Sequence, residues 1–158
     1  MRLHKLAHFL ITAFLLSFVG SCKKDPCKDV KCQNGGVCTD GQCSCKLPWE
    51  GNRCEVDARD KFVGSWRGTE NCGGSVETRA FSIAKSVANP IAIIIGDEIR
   101  AELKSSTTFD VPSQQIIRQG VAITVSGNGS LNANALVLNL SFSSGGEGIT
   151  CVYNMTRQ

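Results

Sequence analysis

Between residues 61 and 158 apolar side chains recur at every second position, the period of a half-buried strand. Leu136, Leu138, Leu140 and Phe142 share one face of the run 135–142, and Val121, Ile123 and Val125 do the same in the run before it. Ile149, Cys151, Tyr153 and Met155 repeat the pattern in the last run. Phe81 with Ile83, and Ile91 with Ile93 and Ile95, predict two further strands, and 99–103 and 115–118 carry weaker forms of the same signal. Turn signals lie between these runs: Asn71-Cys72-Gly73-Gly74, Gly96-Asp97, Gly127-Asn128-Gly129 and Gly145-Gly146-Glu147-Gly148. Seven or eight short strands at this spacing predict an antiparallel β-barrel or sandwich. No stretch has a long helical period, and 84–88 is expected to form at most a brief helical turn. A barrel this small is expected to be filled by its own side chains, with little cavity left.

The other apolar run is of a different kind. Residues 9–20 are apolar except for Thr12 and Ser17, and Arg2, His4 and Lys5 precede them. Twelve residues are too few for a bilayer-spanning helix, which needs about 20, so 1–21 reads as a signal peptide. Its removal takes away Arg2 and Lys5, leaving 15 basic residues against 14 acidic ones. That balance, with no basic run, argues against a nucleic-acid partner. It also takes away His4 and His8, the only two histidines. The remaining chain is therefore excluded from Ser-His-Asp and Cys-His nucleophilic catalysis and from imidazole-based zinc sites. No catalytic, cofactor-binding or metal-ligating residue is expected, and the protein is expected not to be an enzyme.

Nine cysteines behind an export signal point to an oxidising compartment and a disulfide framework. The odd number leaves one for another task. Cys22 closes the sequence Val19-Gly20-Ser21-Cys22, which resembles the lipobox of bacterial lipoproteins. The resemblance implies a diacylglyceryl group on the Cys22 thiol, cleavage before it, and membrane anchoring, since each buried methylene contributes about 0.8 kcal/mol. The alternative is ordinary cleavage after Ser21, giving a secreted protein with a spare thiol. Ser21-Cys22-Lys23-Lys24-Asp25 is similar to the lipoproteins of the Bacteroidetes. In that group Lys23, where retention in the inner membrane would want Asp, implies the outer membrane, with display on the cell surface as one arrangement.

Six cysteines, Cys27, Cys32, Cys38, Cys43, Cys45 and Cys54, fall in the spacing C-x4-C-x5-C-x4-C-x-C-x8-C. Spacing alone leaves 15 pairings open. The stretch Gln33-Asn34-Gly35-Gly36-Val37, and Cys43-Ser44-Cys45-Lys46-Leu47-Pro48-Trp49 with Cys54 following, resemble an EGF-like module over the whole of 27–54. The resemblance implies the bridges Cys27–Cys38, Cys32–Cys43 and Cys45–Cys54. It also implies a calcium-free form, because Asp25-Pro26 and the gap Thr39-Asp40-Gly41-Gln42 lack the family's calcium-binding pattern. Cys72 and Cys151 remain, and are expected to bridge the end of the first strand of the C-terminal domain to its last.

Gly64-Ser65-Trp66 resembles the Gly-x-Trp that opens lipocalin and related barrels, where the Trp closes the barrel floor. The expected fold is thus mainly β. Its parts are a signal peptide (1–21), a lipidated tether (22–26), a small disulfide-rich EGF-like module (27–54), a charged linker (55–60) and a lipocalin-like antiparallel β domain (61–158). The resemblances imply a lipid-anchored cell-envelope protein held in the membrane through Cys22. Its task is expected to be contact with a protein or glycan partner, with carriage of a small apolar ligand in the barrel as the alternative. In cells supplied with a labelled fatty acid, the wild type is expected to take up label and Cys22→Ser to take up none; an unlabelled wild type would remove the anchor.

Overall fold

The computed structural model describes residues 24–158, so the expected signal peptide and Cys22 lie outside the described residues. Residues 27–54 are too few to bury a core of their own, and only Pro48 and Cys54 among them are buried. Covalent bonds take the place of packing: Cys27–Cys38, Cys32–Cys43 and Cys45–Cys54 are joined, and each such bridge removes freedom from the unfolded chain. Strands β1 (Val37–Thr39) and β2 (Gln42–Ser44) form a hairpin. Its turn residues Asp40 and Gly41 both take positive φ, 50° and 83°, the geometry that matches the twist of two short strands.

Strands β3 (Trp49–Glu50) and β4 (Val56–Asp57) pair next and lead the chain into the C-terminal domain. The expected linker 55–60 is therefore ordered. Asp57 caps a 3-10 turn, Ala58–Lys61, by accepting from the Arg59 backbone N–H. The Asp57 carboxylate also takes the Arg59 guanidinium at 2.7 Å and the Lys85 ammonium at 3.0 Å. Arg59 in turn donates to the Ser86 carbonyl. Glu50 pairs with Lys61 at 2.7 Å. A buried carboxylate is tolerated when its oxygens are met in this way.

Eight strands follow: β5 (Gly64–Cys72), β6 (Ser75–Lys85), β7 (Ala92–Ile95), β8 (Ile99–Leu103), β9 (Thr108–Arg118), β10 (Val121–Asn132), β11 (Ala135–Ser144) and β12 (Glu147–Arg157). Each pairs antiparallel with the next, and β12 returns to β5, so the sheet closes into a barrel. Closure decides between barrel and sandwich. It also leaves β5, β10, β11 and β12 without a long outer edge, while β6 and β9 pair on their second side only over Ile83–Lys85 and Phe109–Asp110. The inward positions carry the core: Leu136, Leu138 and Leu140 on β11, Ile83 on β6, Phe109 and Val111 on β9, Met155 on β12.

One end of the barrel is sealed. Trp66 is fully buried, and its indole N–H donates to the Phe62 carbonyl at 2.8 Å. The Arg157 guanidinium lies 5.1 Å from the Trp66 ring centroid, a cation–π contact, and bonds the Lys61 carbonyl. Phe62 meets Phe109 edge-on at 5.4 Å between centroids. The chain from Ala58 to Phe62 thus forms a floor under the strands.

Two local expectations are corrected. Gly127-Asn128-Gly129 is the middle of β10 and makes no turn; the chain reverses at 119–120 and 133–134. These glycines serve close approach: a Cβ on Gly129 would lie 2.2 Å from the Phe109 ring, and one on Gly127 2.0 Å from the Asn139 carbonyl oxygen. Residues 84–88 form no helical turn, because β6 runs on through Lys85 to reach β7.

Burial pushes the Asp57 carboxyl up, but hydrogen bonds from Arg59 and Lys85 outweigh it and hold the group at about 2, below its ordinary 3.8. A depressed carboxyl stabilises the fold fully above its ordinary value and loses that contribution as pH falls through the folded value. Asp57→Asn is accordingly expected to cost about 2 kcal/mol at neutral pH. In urea denaturation the gap between wild type and variant should narrow toward zero as the pH falls through about 2.

Candidate functional site

The strands are unequal, and the inequality makes a site. β7 has four residues and β8 five, whereas β9 has 11 and β10 has 12. Pairing of β6 with β7 covers only Ile83–Lys85, with a last rung from the Gly96 N–H to the Ser82 carbonyl at 2.8 Å. Pairing of β8 with β9 covers only Glu102 with Asp110 and Leu103 with Phe109. Beyond that, Gln114 closes the joint with its side chain, donating to the Arg100 carbonyl at 2.7 Å and accepting from the Arg100 N–H at 3.0 Å. Above the β7–β8 tip the wall therefore has six strands, and it is open between β6 and β9.

Behind this gap lies a cavity of about 410 Å3. The expectation of a barrel filled by its own side chains thus holds for the floor half and fails for the other. The cavity wall is mostly apolar, with Phe81, Ile99, Ile116, Ile123, Leu140 and Phe142 among its residues. Ile123 and Phe142 also belong to a shallower recess of about 330 Å3 that runs out to Ile149. Around the same end, Val76, Ile117, Val121 and Ile149 are exposed, each by 45% or more. Apolar surface gathered at one end of a barrel is a feature of binding sites more than of scatter.

Four polar side chains break the apolar wall: Glu70, Arg79, Arg118 and Tyr153. Register brings the first pair together, since Tyr153 on β12 lies directly opposite Glu70 on β5. The Tyr153 hydroxyl donates to Glu70 Oε1 at 2.5 Å, and Arg79 Nε donates to Glu70 Oε2. Arg79 reaches Glu77 as well, at 3.1 Å, and Arg118 Nε lies 3.3 Å from Glu98. Phe81 meets the Tyr153 ring edge-on at 6.3 Å. Burial raises the Glu70 carboxyl, but the bonds from Tyr153 and Arg79 prevail and keep it below the ordinary carboxylate range. The Tyr153 hydroxyl is pushed well above its usual value, first by burial and then by its bond to Glu70. At neutral pH the group is thus a carboxylate held between a neutral phenol and a guanidinium.

Cys72 and Cys151 face each other on β5 and β12 and are joined, with the bridge at the cavity end of the barrel. Their sulfurs and a Glu70 oxygen lie within 4.8 Å of one another, but as a disulfide they offer no thiolate to a metal. The cysteines at 27–54 lie apart from this site, in the N-terminal module. Sequence reasoning did not select Glu70, Arg79, Arg118 or Tyr153. A signal was present, because Glu70 shares the inward period of Trp66, and Arg79 that of Phe81 and Ile83. A charge on a strand's dry face is worth marking. No protein-family model and no curated protein matches the chain.

Tyr153→Phe removes a hydroxyl that only Glu70 receives and leaves the carboxylate one donor short. Hydrogen bonds to charged groups contribute more than neutral ones, so the variant is expected to lose about 2 kcal/mol of stability in urea denaturation. It should keep the barrel's far-UV spectrum. Unchanged stability would mean that water replaces the hydroxyl at no cost.

Proposed function

We propose that this chain is a non-enzymatic, exported binding protein that holds a small apolar ligand in the open half of its barrel. The single observation that carries the reading is the cavity of about 410 Å3 behind the gap between β6 and β9. Its volume lies in the range of small-molecule sites, and its lining fits their pattern of apolar walls with a few placed polar groups. Of the two binding roles expected from the sequence, this favours carriage of a ligand inside the barrel over contact through its outer surface.

The remaining parts of the proposal rest on separate observations. Four disulfides support an oxidising compartment. Within 27–54 the bridges run first to third, second to fourth and fifth to sixth cysteine, which supports the EGF-like reading and a role as a stalk. Trp66 at the sealed end, capped by Arg157, supports the lipocalin-like reading. Anchoring through a lipid on Cys22 in the outer membrane rests on the sequence Val19-Gly20-Ser21-Cys22-Lys23. A non-enzymatic role is favoured by the state of the polar residues in the cavity. The Glu70 carboxylate is paired with the Arg79 guanidinium and accepts the Tyr153 hydroxyl, so the one acid of the cavity is engaged and does not face a free base.

The test is titration with N-phenylnaphthylamine, a neutral fluorophore that brightens in apolar surroundings. The wild type is expected to bind one equivalent, and Ile123→Trp, which fills the cavity from its rim, to bind at least tenfold more weakly with unchanged stability. A wild type that leaves the fluorophore dark would overturn the reading.

A further inference from the structure

We infer that the ligand is a small amphiphile with a carboxylate head, its apolar body in the cavity and its head between Arg79 and Arg118 at the gap in the wall. This rests on the cavity being a ligand site, and it adds what the ligand's polar end must be.

Three charged residues line the cavity, one acidic and two basic. The acid is already engaged: Glu70 takes the Tyr153 hydroxyl on one oxygen and Arg79 Nε on the other, and its charge is matched by the guanidinium beside it. The bases do have spare capacity. A guanidinium carries five N–H donors, and Arg79 uses Nε on Glu70 and Nη2 on Glu77. Arg118 uses Nε on Glu98, at the exposed rim, where an ion pair contributes little and exchanges readily. What faces an incoming head group is thus a set of guanidinium N–H donors on both sides of the opening. A planar carboxylate fits the fork of a guanidinium.

The position of the two residues adds to this. Arg79 belongs to β6 and Arg118 to β9, the two strands whose facing edges are unpaired above the β7–β8 tip. They flank the opening through which the apolar wall is reached. The Glu70–Tyr153 pair, itself fixed by strand register, holds Arg79 by Nε and acts as its positioning element. An amphiphile lying along Phe81, Ile116 and Phe142 would place its head at this opening, where charge keeps contact with water while the body is buried.

The experiment is displacement of N-phenylnaphthylamine by decanoate and by decanol, which share a chain and differ at the head. Wild type is expected to release the fluorophore at about tenfold lower decanoate than decanol at neutral pH, with the preference shrinking as salt is added. Arg118→Gln should bring the two concentrations together by weakening decanoate alone, Arg118→Lys should restore part of the preference, and Arg67→Gln, on the outer face of β5, should leave it intact. The preference should also vanish as the carboxylate protonates in acid. Equal displacement by both compounds, or a preference that survives Arg118→Gln, would overturn the head-group assignment while leaving the cavity as a binding site. Failure of the fluorophore to bind the wild type at all would remove the cavity reading and this inference with it.

Discussion

The barrel exists because its first and last strands meet, and most of the distinctive chemistry of the domain lies along that seam. β5 and β12 are separated by the whole length of the domain, so their pairing carries the largest loop-closure cost of any rung in the sheet. Along the seam the chain places interactions that offset this cost. Cys72 is bonded to Cys151 at one end, Tyr153 is bonded to Glu70 in the middle, and Arg157 covers Trp66 at the other. Between them Gly68 lets the strands close tightly, since a Cβ there would fall 1.9 Å from the Asn154 carbonyl oxygen. A covalent bond, a charged hydrogen bond, a steric vacancy and a cation–π contact thus act on one pair of strands.

The two halves of the barrel are built on different terms. Toward the floor, all eight strands are present, and Trp66, Phe62, Phe109 and Met155 fill the space between them. Toward the other end, the β7–β8 hairpin has stopped, and the side chains that would have come from it are missing. The neighbours do not collapse into the space, because β10, β11 and β12 remain paired in long ladders that hold their curvature. The bulge where β9 passes Val125 to Gly127 bends the wall on the facing side. The hollow follows from strand length and sheet stiffness together, and no single residue creates it.

How much of this could be read from the chain depends on the distance over which each feature is specified. The strands carrying Leu136, Leu138 and Leu140, or Ile149 and Cys151, were legible because one wet and one dry face impose alternation locally. Their number and spacing led to an antiparallel barrel or sandwich, and only the pairing of β12 with β5 decided between the two. The turn expected at Gly127-Asn128-Gly129 was misread because glycine signals permissive backbone and absent side chain in the same letter, and here the second was meant. The Glu70–Tyr153 bond was out of reach, since it depends on the register of two strands 83 residues apart. So was the cavity: the short β7–β8 hairpin is visible around Gly96-Asp97, but its effect appears only beside the longer strands it fails to match.

The seam has one more consequence, which concerns direction. Because β5 and β12 are antiparallel neighbours, the start of one and the finish of the other lie side by side at the floor, where the Gln158 N–H bonds the Ser65 carbonyl. The N-terminal module joins at that same floor, through Pro48 to Ala58 and Glu50 to Lys61. Whatever holds the protein from either side of the domain pulls on its base. The opening between Arg79 and Arg118, with its collar of Val121 and Ile149, lies toward the other end of the barrel, away from both chain connections.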